Sequence, residues 1–169
     1  MSFTLVIGGA RSGKTRYALE QAQARGASRR VMIATAQALD EEMAQRIARH
    51  RAERGAAWAT VEAPLDLAGA VERLKAGEAA VVDCLTLWLS NLMLGDLDVA
   101  TAVAGTAQAL AASPAEVLVV TNEVGQGIVP DNALARRFRD EAGWMNQAMA
   151  TAAGRVVLVT AGLPLVLKG

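Results

Sequence analysis

The chain has 169 residues, 53% of them hydrophobic and only 4% aromatic, which predicts one domain with an aliphatic core. Its 17 basic and 17 acidic residues cancel, so the net charge shows no electrostatic signature of a protein that binds nucleic acid or an anionic membrane. A single cysteine excludes a disulfide framework or a cysteine-rich zinc site and favours a cytoplasmic location, while the lack of a signal-peptide pattern or a long apolar stretch predicts no membrane span.

Short apolar segments alternate with helical patterns along the chain. In chain order, the predicted strands are residues 3–7, 30–34, 58–61, 79–83, 115–120 and 155–160, with a short final strand near Leu165. The predicted helices are residues 14–25, 39–54, 65–76, 85–94, 99–112 and 133–153. This alternation is typical of βαβ units, and it predicts an α/β domain with a mostly parallel sheet and helices on both faces.

A glycine-rich motif of the form G-x-x-x-x-G-K-T directly follows the first predicted strand. Its members are Gly8, Gly9, Ala10, Arg11, Ser12, Gly13, Lys14 and Thr15. In such a P-loop the backbone N–H groups bind phosphate oxygens, the lysine reaches the β- and γ-phosphates, and the Thr15 hydroxyl can ligate Mg²⁺. The helix after the motif directs its positive dipole end at the anion. The sequence therefore predicts a P-loop NTPase that binds a nucleoside triphosphate.

Asp83 closes the buried strand that contains Val81 and Val82. An acidic residue at the end of a neighbouring strand can hold Mg²⁺ in a P-loop fold. Aspartate is also a favoured N-cap, and a helix is predicted from Leu85. Beside a P-loop, we favour the metal role.

The longest segment without a regular pattern, residues 121–132, follows another buried strand. Glu123 there is a candidate general base or metal ligand, although Asn122 and Glu123 could equally satisfy backbone groups of the loop. The segment lacks the N-K-x-D guanine-binding motif of GTP-dependent switch proteins. Glu62, at the end of the third strand, could bind a base edge or simply terminate the strand.

His50 is the only histidine, and it lies in an arginine-rich amphipathic helical pattern. Arg46, His50 and Arg54 follow at four-residue spacing and so share one helix face. Arginines there could bind phosphate beside a nucleophilic imidazole. Composition alone favours the other interpretation, a solvated face with an uninvolved histidine.

Several segments together resemble the bifunctional adenosylcobinamide kinase/adenosylcobinamide-phosphate guanylyltransferase family of cobalamin biosynthesis. In chain order they are GGARSGKT, IATAQALDEEMAQRIARHRAER, WATVEAP, VVDCLTLWLSNL, TNEVGQGIVPDNALARRFRDEAGWMNQ and AGLPLVLKG. The HRAER and TNEVG segments are more specific than the P-loop, and the resemblance spans nearly the whole chain.

This resemblance implies a RecA-like fold, a homotrimer and two reactions with ATP or GTP. The first phosphorylates adenosylcobinamide, and the second transfers GMP from GTP through a guanylylated histidine, for which only His50 is available. The implied nucleotide contacts are the P-loop residues and Thr35, Ala36, Gln37, Arg51, Ala52, Glu53, Arg54, Glu62 and Asp83. The catalytic residues expected are His50, Lys14 and Glu123, and the Mg²⁺ ligands expected are Thr15 and Asp83. A kinase without the transferase activity is the alternative, and a nucleotide-dependent switch protein is a third, less favoured hypothesis.

Overall fold

Among the residues that the structure describes, the sheet has seven strands in the order β3-β2-β4-β5-β1-β6-β7, and only β7 runs antiparallel to its neighbour. This is seen in a computed structural model that describes residues 3–37, 41 and 57–169. The strands are β1 (Thr4–Gly8), β2 (Arg29–Ala34), β3 (Trp58–Glu62), β4 (Glu78–Asp83), β5 (Glu116–Asn122), β6 (Arg155–Thr160) and β7 (Leu163–Lys168). The predicted mostly parallel α/β sheet is thus confirmed.

Five helices lie within the described residues: α1 (Lys14–Ala24), α2 (Leu67–Glu72), α3 (Leu85–Leu94), α4 (Val99–Ala112) and α5 (Ala133–Ala152). Three of them begin at a side chain that accepts a backbone N–H bond from the first turn, which satisfies a donor that the helix leaves unpaired. These N-caps are Asp66 for α2, Asp98 for α4 and Asn132 for α5. The helix predicted at residues 39–54 lies largely outside the described residues.

The core lies on both faces of the sheet, because successive strand side chains point to opposite sides. Leu5 of β1 belongs to the cluster beneath α2, α3, α4 and α5, whereas Val6 packs against Ala18 and Ala22 of α1. The same alternation separates Val82 from Val81 in β4. Coverage of both faces explains why the central strands are apolar at nearly every position.

Two predicted boundaries were wrong. Helix α2 is shorter than residues 65–76, because Asp66 caps it at one end and Gly77, with φ 83°, turns the chain shortly after the other. Strand β5 extends beyond Val120, because Thr121 and Asn122 continue to pair with Ile7 and Gly8 of β1. The start of α2 depends on one capping residue, and the end of β5 depends on a partner strand that is distant in sequence.

Lys168 closes the carboxyl end of α5. Its Nζ donates to the carbonyl oxygens of Ala150, Thr151 and Ala153 at 3.0, 3.0 and 2.6 Å. These carbonyls have no later turn to bond with, and a cation there also interacts favourably with the helix dipole. We expect Lys168→Met to lower the free energy of unfolding by about 1–2 kcal/mol in urea titrations. Lys168→Arg should recover part of this loss, and a wild-type unfolding midpoint in the methionine variant would contradict the assignment.

Candidate active site

The P-loop joins the end of β1 to the start of α1, as predicted. Gly8 is buried where the loop leaves the sheet, and a β-carbon on it would collide with the carbonyl oxygen of Val159 and lie 2.6 Å from the Ser12 hydroxyl oxygen. Gly13 has φ 95°, a conformation that favours glycine. These contacts explain both glycines of the motif, since neither position has room or geometry for a side chain.

Helix α1 begins without a side-chain cap. Its N-cap residue is Gly13, which has no side chain that could accept from the first turn. Lys14 is 9% exposed, and its Nζ donates to the carbonyl oxygen of Gly9 at 3.0 Å across the loop. Uncapped N–H groups beside an ammonium group form a site suited to an anion such as phosphate.

Ser12 contributes a buried hydroxyl to the same loop. Its oxygen has no hydrogen-bond partner within residues 3–37, 41 and 57–169, although the residue is only 9% exposed. Buried polar atoms without partners are rare and cost free energy. A ligand in the loop would remove this cost, which makes Ser12 the second indication of an anion site besides the helix terminus.

Asp83 lies at the carboxyl end of β4, level with Val120 of β5 and Ala34 of β2, and is half-buried. The N-cap of α3 is Cys84, so Asp83 is not the cap that the sequence offered as its alternative role. One strand, β5, separates Asp83 from the P-loop strand. Its carboxylate and the half-buried Thr15 hydroxyl are oxygen donors of the kind that Mg²⁺ prefers.

No group of three or more His, Cys, Asp or Glu side chains that could hold a metal occurs among residues 3–37, 41 and 57–169. Mg²⁺ at a phosphate site takes one or two protein ligands together with phosphate and water oxygens, a number that the Thr15 hydroxyl and the Asp83 carboxylate would supply.

Thr35 is fully buried at the end of β2, where it binds the chain after Asp83. Its hydroxyl donates to the Cys84 carbonyl at 2.7 Å and accepts the Cys84 N–H at 2.8 Å. The Thr35 carbonyl accepts from Nδ2 of Asn91, which also donates to the Pro64 carbonyl. Thr35 therefore has a structural role, because its bonds to Cys84 hold the chain next to Asp83 in place.

Glu123 begins the loop after β5, beside the P-loop. Its N–H donates to the Gly8 carbonyl at 3.1 Å, and its Oε1 accepts the Gly125 N–H at 2.8 Å. The base of this loop is also bonded to α3 and α5, since Thr86 accepts the Asn122 N–H and Asn146 donates to the Asn122 carbonyl. One carboxylate oxygen thus has the structural role that the sequence left as an alternative.

Arginines of α5 hold the rest of that loop. Arg139 donates to the Gly125 carbonyl at 2.7 Å, and Arg136 donates to the carbonyls of Pro130 and Asp131 at 3.0 and 2.6 Å. Arg137 lies 4.0 Å from Glu141. The arginine cluster near the start of α5 therefore positions the loop and pairs only weakly with its own acidic neighbours.

Comparison with known proteins identifies the family. The model of the cobinamide kinase/cobinamide phosphate guanyltransferase family matches residues 4–167. The chain belongs to this family. It is 48% identical to the bifunctional adenosylcobalamin biosynthesis protein CobP of Pseudomonas aeruginosa, over 98% of this chain and 96% of that protein. It is 42% identical to the CobU protein of Escherichia coli, over 97% of this chain and 98% of that protein.

Solved structures confirm the P-loop NTPase fold expected for the cobinamide kinase/cobinamide phosphate guanyltransferase family. The RadB recombinase aligns with a TM-score of 0.54 at 14% identity, over 93% of this chain and 73% of that one. The flagellar accessory protein FlaH from Methanocaldococcus jannaschii aligns with a TM-score of 0.53 at 14% identity, over 99% of this chain and 78% of that one. At these identities the likeness concerns the fold.

The sheet brings most of the family's expected site residues to one edge. The carboxyl ends of the parallel strands carry the exposed Glu62 as the last residue of β3, the Thr35-Ala36-Gln37 segment after β2, Asp83 of β4, Glu123 after β5 and the P-loop at the end of β1. Ligands of open parallel sheets bind at this edge. The remaining expected residues, His50, Arg51, Ala52, Glu53 and Arg54, lie outside the described part of the chain.

The sequence indicated no role for Gly162, whose N–H donates to the Ser12 carbonyl, or for Asn91, which links Thr35 to Pro64. Arg139 stands in an arginine-rich stretch for which ligand binding, a subunit contact and pairing with Asp140 and Glu141 were all open, and the structure shows that it holds the Glu123 loop. The AGLP segment and the arginine cluster were visible signals, but their partners are far away in sequence.

Proposed function

We propose that the protein phosphorylates adenosylcobinamide and then transfers GMP from GTP to the new phosphate. The product is adenosylcobinamide-GDP, and pyrophosphate is released. The observation that carries this proposal is a P-loop whose following helix has no side-chain cap, with Asp83 and Glu123 at the ends of neighbouring strands. This arrangement occurs in a member of the cobinamide kinase/cobinamide phosphate guanyltransferase family.

The kinase step uses the described residues. Lys14 exchanges the Gly9 carbonyl for the β- and γ-phosphate oxygens of the bound triphosphate, where its charge stabilises the transferring phosphoryl group. The substrate hydroxyl attacks the γ-phosphorus, the bond to the β-phosphate oxygen breaks, and Glu123 takes the hydroxyl proton. Thr15 and Asp83 would hold Mg²⁺, which neutralises phosphate charge when bound.

In the guanylyl step His50 is the nucleophile. An imidazole nitrogen forms a bond to the α-phosphorus of GTP, and the bond to the pyrophosphate oxygen breaks. A phosphate oxygen of the phosphorylated corrinoid then attacks the same phosphorus, and the histidine leaves. Support comes from the family resemblance and from the sequence, in which His50 is the sole histidine and stands within HRAER. Arg51 and Arg54 would stabilise the added phosphate charge.

We expect Glu123→Gln to separate the two roles of this side chain. Glutamine retains an Oε1 that can accept the Gly125 N–H, but it cannot take a proton. Loss of a general base lowers kcat for phosphorylation by about a hundredfold with little change in the KM for nucleotide. If Glu123→Gln has wild-type kcat while Glu123→Ala is inactive, then Glu123 has only its structural role and is not the general base.

We also propose a homotrimer. The number three rests on the family resemblance, and association between copies is supported by the exposed apolar strand β7. Its side chains at Leu163, Leu165 and Leu167 are 73%, 59% and 58% exposed. Such a surface is unusual for a strand of a monomer.

No helix within the described ranges is both long and apolar enough to cross a membrane.

The direct test incubates the purified protein with adenosylcobinamide, Mg²⁺ and either ATP or GTP, and follows the corrinoids by chromatography and mass spectrometry. With GTP, the phosphate should appear first and adenosylcobinamide-GDP should follow with release of pyrophosphate. Accumulation of the phosphate alone would favour a kinase without the transferase activity. No corrinoid product with either nucleotide would contradict the proposal.

A further inference from the structure

A tight turn between β6 and β7 packs against the P-loop. Thr160 pairs with Leu163, so the turn consists of Ala161 and Gly162, which have φ 52° and 80°. Positive φ at both central residues is the pattern of a type I′ hairpin, in which glycine is favoured at the second position. The turn belongs to the carboxyl-terminal AGLPLVLKG segment, for which the proposed reactions provide no role.

Two contacts join this turn to the P-loop. The Gly162 N–H donates to the Ser12 carbonyl oxygen at 2.8 Å. A β-carbon on Gly13 would lie 3.2 Å from the Cα of Gly162, so the two backbones are in close contact. The Arg16 guanidinium lies beside both glycines, 3.2 Å from where a Gly162 β-carbon would be.

The first contact fixes the orientation of a peptide group that matters for anion binding. The Ser12 carbonyl and the Gly13 N–H belong to one planar peptide unit, and in a trans unit they point in opposite directions. Because the carbonyl bonds to the turn, the Gly13 N–H is directed away from it. Gly13 is the N-cap of α1, where backbone N–H groups bind phosphate.

We propose that Gly162 is a positioning residue for the triphosphate site. Its N–H holds the Ser12–Gly13 peptide in the orientation that presents the Gly13 N–H to phosphate, and its lack of a side chain allows the turn to approach the loop. The hairpin of β6 and β7 thereby influences the affinity of the P-loop for nucleotide. This inference rests on the proposed nucleotide-binding function of the P-loop.

The test compares Gly162→Ala with Gly77→Ala. Gly77 has φ 83°, close to that of Gly162, but it precedes β4 at the opposite edge of the sheet. In the part of the chain that the structure describes, a β-carbon there would have only the Ser28 hydroxyl oxygen within 4 Å, at 3.5 Å. Both substitutions place alanine in the left-handed region, so both should lower the melting temperature. Only Gly162→Ala should raise the dissociation constants of GDP and ADP, by about tenfold in calorimetric titrations with Mg²⁺.

Equal nucleotide affinity in Gly162→Ala and wild type would overturn the inference, and so would an equal loss in Gly77→Ala. Failure of the wild-type protein to bind GDP and ADP would instead contradict the proposed function. If Gly162→Ala does not fold, hydrogen exchange of the backbone amides in the wild-type protein, with and without GDP, tests the role of Gly162 instead. GDP should slow exchange at Gly162 but not at Gly77, and unchanged exchange at Gly162 would contradict its role.

Discussion

His50→Ala is expected to abolish covalent labelling by α-labelled GTP and formation of adenosylcobinamide-GDP, while phosphorylation of adenosylcobinamide continues. His50 is the only histidine of the chain, so no other imidazole can form the phosphoramidate. The proposed kinase step relies on residues of the P-loop and the neighbouring strand ends. The substitution should therefore separate the two reactions, and the surviving kinase activity serves as the folding control.

Acid-labile label on His50→Ala would show that another side chain is the nucleophile. Loss of both reactions, with unchanged thermal unfolding, would mean that His50 also serves the kinase step and that the assignment of separate roles is wrong. Both results are obtained from one preparation by comparing α- and γ-labelled GTP.

Lys14→Met should lower kcat for phosphorylation by about a thousandfold. The methionine fills a similar volume in a site where Lys14 is only 9% exposed, but it removes the charge that we propose stabilises the transferring phosphoryl group. Guanylylation of His50 should also decline, because in the proposed mechanism the same loop holds the triphosphate whose α-phosphorus the histidine attacks. Rates are measured with γ- and α-labelled GTP at saturating corrinoid.

Lys75→Met is the matched control, because Lys75 is an exposed lysine near the opposite edge of the sheet. It should retain wild-type rates in both reactions. A Lys14→Met enzyme that phosphorylates at more than about a tenth of the wild-type rate would contradict a direct role of this ammonium group in the transition state.

The P-loop was predictable because its parts are consecutive. A strand, two glycines with fixed spacing, Lys14 and Thr15 occupy one short stretch, and each has a local physical reason. The position of Asp83 at the same edge was also predictable, since parallel strands place their carboxyl ends together. The cap role of Asp83 is excluded because Cys84 is the N-cap of α3, a helix whose start at Leu85 agrees with the sequence prediction.

Contacts between distant segments were not predictable. The bond between Gly162 and Ser12 joins residues on adjacent strand ends, and strand order cannot be read from a hydrophobic pattern. The bond from Arg139 to Gly125 likewise requires α5 to pack beside the loop after β5. Arg139 stands in an arginine-rich stretch of the sequence, but its partner is a backbone carbonyl, which any residue could have supplied.

In the proposed mechanism, one chain uses both a P-loop and a histidine nucleophile on the same nucleotide. The sharpest test is mass spectrometry of the wild-type protein after exposure to GTP and Mg²⁺, without corrinoid. We expect a mass increase of one GMP unit, located on the peptide that contains His50 and lost when phosphorylated adenosylcobinamide is added. An unmodified protein, or an adduct on any other residue, would contradict it.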